Sequence, residues 1–413
     1  MLISTIFTRI RFSKSRRPEL QLIYTDDNFV VSGMTYPRVP ILLDGDFEIV
    51  KPFFQFIVYL TVQDGRIQSN RTVKNYANAL YDYFSFLDAN QLLWDDPYLN
   101  KENSFTISVL ALYRNWSKSL LNDEGHRIVS DSSINMRLSV LKRFYEYCYK
   151  ASLINFEPWE VLFKLKPERM PGFLRHTHGQ KVIKSNDLMI KTFKRLPKLL
   201  SLDQCRELIG VIDNLTMRLI TKLILSTGIR KDEVISFSRR YIFEPDMQKP
   251  NIRIPISLEP TSNGQRTKGS KARTIYLSAP LMKELWDYLH FGEGVIRTRC
   301  HKKSHGKDPY NLFLNRFGEP FSEAALNNFY RTLYVGESKR LSFSVNPHML
   351  RHTYATIELY AESTRTNTTK ALAWVKARLG HSSISTTAIY LHCIETLYDQ
   401  ELSSYQAEID AME

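Results

Sequence analysis

From about Asp44 to Ser152 apolar residues recur every three or four positions, a period that predicts four helices. In SNRTVKNYANALYDYFSFLD the apolar stripe is Val73, Tyr76, Leu80, Tyr83 and Leu87, with Ser69 as the cap. In SDSSINMRLSVLKRFYEYCYK it is Ile134, Leu138, Leu141, Tyr145 and Cys148, which leaves Arg137, Lys142 and Arg143 available on other faces. Such stripes are core packing, so a ligand must meet the remaining faces. Upstream, LQLIYTDDNFVVSG predicts a short hairpin that turns at Asp26-Asp27-Asn28.

After about Leu199 the pattern mixes helices with a few strands. SLDQCRELIGVID starts at a Ser201 cap, and the apolar face of MRLITKLILSTG stops at Gly228, a natural helix end. NIRIPI and RTIYLS read as two strands enclosing a polar loop that contains Gly264, Lys268, Gly269 and Lys271. Helices resume over 323–335, 348–360, 370–378 and 385–394. The expected fold is mainly α with a small β-sheet: a helical domain followed by a mixed α/β domain. The boundaries read as 1–43 (basic arm and hairpin), 44–157 (helical domain), 158–198 (basic linker), 199–392 (mixed domain) and 393–413 (terminal helix).

Charge sharpens this picture. Lys and Arg number 56 against 43 acids, a net charge of +13 with a pI near 9.4, so the surface attracts a polyanion and nucleic acid is the leading partner. Residues 164–198 hold ten Lys/Arg and two acids, which favours phosphate contact there, with Lys181, Lys184, Lys191 and Lys194 as the contacting side chains. The first eighteen residues carry five cations and no acid and read as a basic arm rather than an organelle transit peptide. The four cysteines are far apart, which indicates neither a disulfide framework nor a cysteine-rich zinc site and suits a reducing cytoplasm. CHKKSH offers one thiol, Cys300, beside His301 and His305 with no second ligand pair, so it reads as a basic loop and no metal is expected. The most apolar stretch, 53–62, is too short to span a bilayer, and no phosphate-binding glycine loop indicates ATP use.

Four local patterns stand in order: STGIRKDEV, TKGSKARTIYL, PHMLRHTYAT and LGHSSISTTAIYLH, with 160 positions between Arg230 and Tyr390. Taken jointly they resemble the catalytic domain of the tyrosine recombinases, the phage integrase family, over about 199–392. The preceding helices look like that family's SAM-like core-binding domain. Cleaving a DNA strand without metal requires an oxygen nucleophile, neutralisation of charge on a pentacoordinate phosphorus, and a proton donor for the departing alkoxide. Arg230 and Arg351 are suited to fork onto the non-bridging oxygens, since guanidinium is planar and permanently charged. His348 stands three residues before Arg351 on one helix face, placed to orient or deprotonate Tyr390. The resemblance implies that Tyr390 is the nucleophile, that His381 donates a hydrogen bond to the scissile phosphate and that Glu233 is the acidic partner positioning His348. It further implies that Lys268 is the general acid toward the 5′-oxygen, a role for which Lys271 is the alternative.

The implied activity is site-specific recombination of double-stranded DNA through a 3′-phosphotyrosyl bond, of integrase or transposon type and without a cofactor. The terminal segment IETLYDQELSSYQAEIDAME, with six acids and no Lys or Arg, is implied to dock on a neighbouring protomer in a homotetramer holding two sites. Folding back onto its own domain is the alternative. The expected location is the bacterial cytoplasm, at the nucleoid. Two other readings stay open: a type IB topoisomerase, which uses nearly the same residues on one duplex, and a catalytically silent DNA-binding factor.

Overall fold

The computed structural model describes residues 20–31, 33–65, 70–96, 98–99, 107–156, 162–166, 181–185, 188–192, 196–249, 252–260, 264–336 and 339–394. The basic arm, most of 158–198, and 395–413 lie outside them, as do Ser69 and Lys194. The chain is mostly helical and divides into two compact units, Met1–Phe193 and Lys194–Glu413.

The first unit opens with β1 (Gln21–Tyr24), β2 (Val30–Val31), β3 (Met34–Thr35) and β4 (Pro40–Leu43). The expected single hairpin does not form. β1 pairs antiparallel with β4, from Gln21 opposite Leu43 to Tyr24 opposite Pro40, while β2 and β3 pair with each other. The turn at Asp26 is present, its carboxylate accepting from the Asn28 amide at 3.0 Å. Burial decides the pairing: Val39 and Leu42 are sealed in the core, whereas Val30 is 56 % exposed and contributes little by lying against β1.

The four expected helices follow: α1 (Lys51–Val58), α2 (Asn70–Ala89), α3 (Val109–Ser119) and α4 (Asp131–Lys150). A π-helical turn, Tyr59–Gln63, continues α1, and a two-residue pair, β5 (Tyr98–Leu99) with β6 (Ile107–Ser108), precedes α3. The predicted stripes are buried, with Tyr76 only partly so. Phe53, Phe56, Tyr113 and Phe144 complete an aromatic core with them, and the Tyr83 and Tyr145 hydroxyls meet at 2.7 Å inside it. The α4 cations expected to be available are engaged within the chain: Arg137 donates to Asp82 at 2.6 Å, Arg143 to Asp64, and Lys142 lies 3.9 Å from Glu146. Within the expected linker, β7 (Leu162–Lys166) pairs antiparallel with β8 (Lys181–Ser185).

The second unit is organised around two buried helices. After α5 (Leu202–Gly210), with its Ser201 capping box, comes α6 (Leu215–Thr227), in which every residue from Thr216 to Thr227 except Arg218 is buried. A short helix, α7 (Lys231–Ile235), leads to β9 (Arg253–Leu258) and β10 (Arg273–Ser278), the two predicted strands, paired antiparallel from Arg273 opposite Leu258 to Ser278 opposite Arg253. Alternation along this ribbon turns Ile254, Ile256, Leu258, Ile275 and Leu277 inward and carries Arg273 in with them.

Two further helices, α8 (Ala279–His290) and α9 (Glu293–His305), stand where no element was expected, and CHKKSH is the last turn of α9 rather than a loop. Polar residues on every face of α9 hide its period. The helix is held instead by buried Arg297, which donates to Leu314 O and to Glu293. The described residues end with α10 (Glu323–Thr332), α11 (Pro347–Arg365), α12 (Thr368–Leu379), α13 (Ile384–Thr387) and α14 (Ile389–Ile394). The helix expected over 385–394 is thus broken at Ala388. Helix α11 packs on α6, α12 and α14 and is buried along most of its length. No helix among the described residues is long and apolar enough to cross a membrane.

Candidate active site

The site begins where helices end. α6 closes on Gly228 in the left-handed conformation, φ 61°, where a Cβ would stand 2.3 Å from the Tyr354 ring, so only glycine fits. Its carbonyl accepts from Nη1 of Arg351, and Leu379 O, at the end of α12, accepts from Nη2 at 2.6 Å. Helix C-termini leave carbonyls without intrahelical partners and carry partial negative charge, so two of them can hold one buried guanidinium. Arg351 is 3 % exposed. Burial and the neighbouring Arg230 and Arg273 cations push it down to about 9, which leaves it protonated at neutral pH.

Arg230 is the N-cap of α7, and its Nη2 donates to Gly380 O at 2.9 Å. Its backbone amide donates to Glu233 Oε2 at 2.8 Å, and its Nη1 to Oε1 at 3.1 Å. Arg273 adds a bidentate pair to the same carboxylate, with Nη2 to Oε2 at 2.6 Å. Glu233 is fully buried. Burial alone would raise its carboxyl, but the bonds from Arg273 and then those from Arg230 hold it below the usual range. The expectation attached Glu233 to His348; what it orders here is the arginine pair.

Asn346 caps α11 by accepting from the His348 and Met349 amides, and the first turn then carries His348, Arg351 and His352. Tyr390, 2 % exposed, comes from α14. Its hydroxyl lies 2.9 Å from Nδ1 of His352. His348 is exposed and meets His352 edge to face, with ring centroids 4.2 Å apart. The ring bonded to the phenol is therefore that of His352, with His348, the residue expected to act on Tyr390, packed against it and lining the same cavity. Burial, with His348 and Arg351 nearby, lowers His352 to about 4, so its ring is neutral and able to accept a proton. Burial raises Tyr390 to about 12 despite Arg351 and Arg230.

His381 stands between Arg351 and α13. Nδ1 is 3.0 Å from Thr387 Oγ1, and Nε2 is 3.3 Å from Nη2 of Arg351. Guanidinium has no acceptor, so Nε2 must accept here. Burial and then Arg351 lower this imidazole to about 3. Donation to a phosphate, as expected of His381, requires the ring to change tautomer or gain a proton, and an anion at this position favours both.

A cavity of about 710 Å³ is lined by His348, Arg351, His352, His381 and Tyr390, with Leu196, Pro197, Ser385, Thr386, Ala388, Ile389 and His392 completing its wall. Of the expected residues, Arg230, Glu233, His348, Arg351, His381 and Tyr390 are brought together through these contacts. The backbone of Lys268 begins a 3₁₀ turn between β9 and β10, and its side chain is outside the described part. The same holds for the side chains of Lys181 and Lys184 in β8, while Lys191 is exposed. Sequence reasoning missed His352 and Arg273. His352 is four residues after His348 on the same helical face, and Arg273 opens a strand whose alternate residues are core, signals that both lie in the sequence.

Arg351, buried, and Arg230, partly so, thus sit on helix-end carbonyls beside a buried, histidine-bonded tyrosine. Residues 198–396 match the phage integrase family, the tyrosine recombinases. Tyrosine recombinase XerC of Chlamydia caviae is 28 % identical over 352 residues, 83 % of this chain and 95 % of that protein. Transposase A from transposon Tn554 of Staphylococcus aureus is 26 % identical over 385 residues, 91 % and 96 % of the two chains. The Tn1549 transposon integrase, solved with a circular intermediate DNA, superposes with a TM-score of 0.50 at 15 % identity, covering 84 % of this chain and 98 % of that one. The fold is that of a helical core-binding domain joined to a mixed α/β recombinase domain.

Proposed function

We propose that this chain is a site-specific recombinase of integrase or transposon type that cleaves duplex DNA through a 3′-phosphotyrosyl bond at Tyr390. As a tyrosine recombinase it is an enzyme that breaks and rejoins DNA strands. The observation that carries the finer reading is the buried Tyr390 hydroxyl, 2.9 Å from His352 Nδ1, in a cavity it shares with Arg351 and His381.

In this mechanism Tyr390 Oη bonds to phosphorus while the bond from phosphorus to the 5′-oxygen breaks. The phenolic proton passes to His352, and Lys268 protonates the departing 5′-oxygen. Arg230 and Arg351 bind the non-bridging oxygens, whose charge grows in the transition state. Attack by a 5′-hydroxyl from the partner strand reverses every step, so bond energy is conserved and no cofactor is consumed. Burial and then His348 lower His352 most; a bound phosphate offsets the smaller contribution of the Arg351 charge and so makes His352 a somewhat stronger base.

In the same reading residues 44–157 grip DNA as the core-binding domain and 199–392 perform catalysis. The lysines at 181, 184, 191 and 194 contact phosphates, and 393–413 links protomers into a tetramer on two sites. A duplex nicked near the cleavage position tests the chemistry, because loss of the short strand traps the covalent protein. Wild type should give an adduct resistant to SDS and Tyr390→Phe none, with DNA binding kept. An adduct in the variant refutes the assignment. Joints between two duplexes separate recombination from topoisomerase action.

A further inference from the structure

The end of α9 and the hairpin that follows it gather two histidines and a carboxylate in a cluster that shares no residue with the tyrosine cavity. His301 and His305 stand one helical turn apart, with rings stacked at a centroid distance of 4.2 Å and planes 15° apart. Glu319 comes from the facing turn, its Oε1 3.5 Å from Nε2 of His305. One ligand-capable atom from each of the three lies within 4.8 Å of the other two.

An imidazole that ligates a metal through one nitrogen is oriented by a partner on the other. Both rings meet that condition. Nδ1 of His301 is 2.8 Å from Gly318 O, and Nδ1 of His305 is 3.2 Å from His301 O. A carbonyl only accepts, so each Nδ1 carries the proton and each Nε2 keeps the lone pair.

The turn that carries the carboxylate is fixed at its backbone. Asn315 Oδ1 accepts from the Phe317 and Glu319 amides at 2.8 and 3.1 Å, and the Asn315 amide donates to Glu319 O at 2.7 Å. Gly318, at φ 83°, packs so close to α9 that a Cβ would stand 2.5 Å from the His301 amide nitrogen, which locks turn and helix in register.

We propose that His301, His305 and Glu319 bind a first-row divalent cation, zinc in particular, as a clip between α9 and the 314–320 hairpin with one coordination position left to solvent. Two imidazoles select against calcium and magnesium, which take oxygen ligands. Tetrahedral zinc sets its ligand atoms about 3.4 Å apart, the separation His305 and Glu319 nearly have. The Glu319 side chain, 47 % exposed, is able to rotate toward the two rings. The ligand that CHKKSH lacks in sequence is supplied by the fold, fourteen residues beyond His305.

Calorimetric titration of the chelator-stripped full chain with zinc chloride tests the proposal, alongside melting temperature with and without zinc. One equivalent should bind with micromolar or tighter affinity and raise the melting temperature. His305→Ala and Glu319→Gln should each weaken binding at least about tenfold and abolish the rise. Both side chains are exposed, so the melting temperature without zinc should stay at the wild-type value and separate lost ligation from lost folding. Absence of one-to-one uptake overturns the site, as does unchanged affinity in both variants, which places the ion elsewhere.

Discussion

Replacing His352 by Phe keeps a ring of similar size against Tyr390 and His348 but removes the acceptor 2.9 Å from the phenol. In wild type that phenol is held at about 12, so spontaneous ionisation does not substitute for a base near neutral pH. General-base assistance is worth about 10²–10⁴ in rate, or about 3–5 kcal/mol of barrier at 1.36 kcal/mol per decade. Single-turnover adduct formation on the nicked duplex should fall by that factor while the dissociation constant for DNA stays within about threefold. His348→Phe should fall less, because the ring 2.9 Å from the phenol is that of His352 and stays in place. The pH profile adds a second readout: with His352 lowered to about 4, wild-type cleavage should stay level as pH drops from 7 to 5. A full-rate His352→Phe variant beside a dead His348→Phe variant would refute the arrangement and return the base to His348.

Three further outcomes follow from the same contacts. Glu233→Ala leaves the Arg230 and Arg273 guanidiniums without their shared carboxylate and should destabilise the chain by about 3–5 kcal/mol in urea denaturation; a cost below about 1 kcal/mol would mean the two cations are solvated instead. Lys268→Ala should be inactive on normal DNA yet recover on a substrate with sulfur at the 5′-bridging position, since a thiolate leaves without protonation; equal defects on both substrates point to Lys271. Folded His352 and His381 lie near 4 and 3 against an ordinary 6.5, so the unfolded chain binds more protons below 6.5. Stability should be intact above about pH 6.5 and decline toward pH 4, with a smaller decline for His352→Phe by scanning calorimetry.

What the sequence exposes and what it hides divide along physical lines. The stripes of α2 and α4 were legible because burial of one helical face leaves a period, and the β9–β10 ribbon because alternation does the same. α9 was not legible, since its packing rests on a buried arginine instead of an apolar face. Strand partners near the amino terminus were misjudged because pairing follows which strand is buried, a property of the assembled unit. Within the site, motif spacing located Arg230, His348, Arg351, His381 and Tyr390, but spacing carries no contact. Which histidine meets the phenol, and which cations share Glu233, depend on where α11 and β10 are packed.

Charge in this cluster is only partly balanced within the protein. Arg230 and Arg273 share the Glu233 carboxylate and Arg351 stands near them on backbone carbonyls, so the three guanidiniums carry two positive charges more than the one carboxylate balances. Buried charge of this kind is costly unless other groups stabilise it. Here the carbonyls of Gly228, Leu379 and Gly380, at the ends of α6 and α12, supply partial negative charge and fixed geometry. They lower the cost without cancelling the field, since dipoles neutralise no net charge. In the proposed reading a phosphodiester entering beside Arg351 would bring the missing negative charge, and its transition state more, so the cluster would favour the reacting phosphate over the resting one.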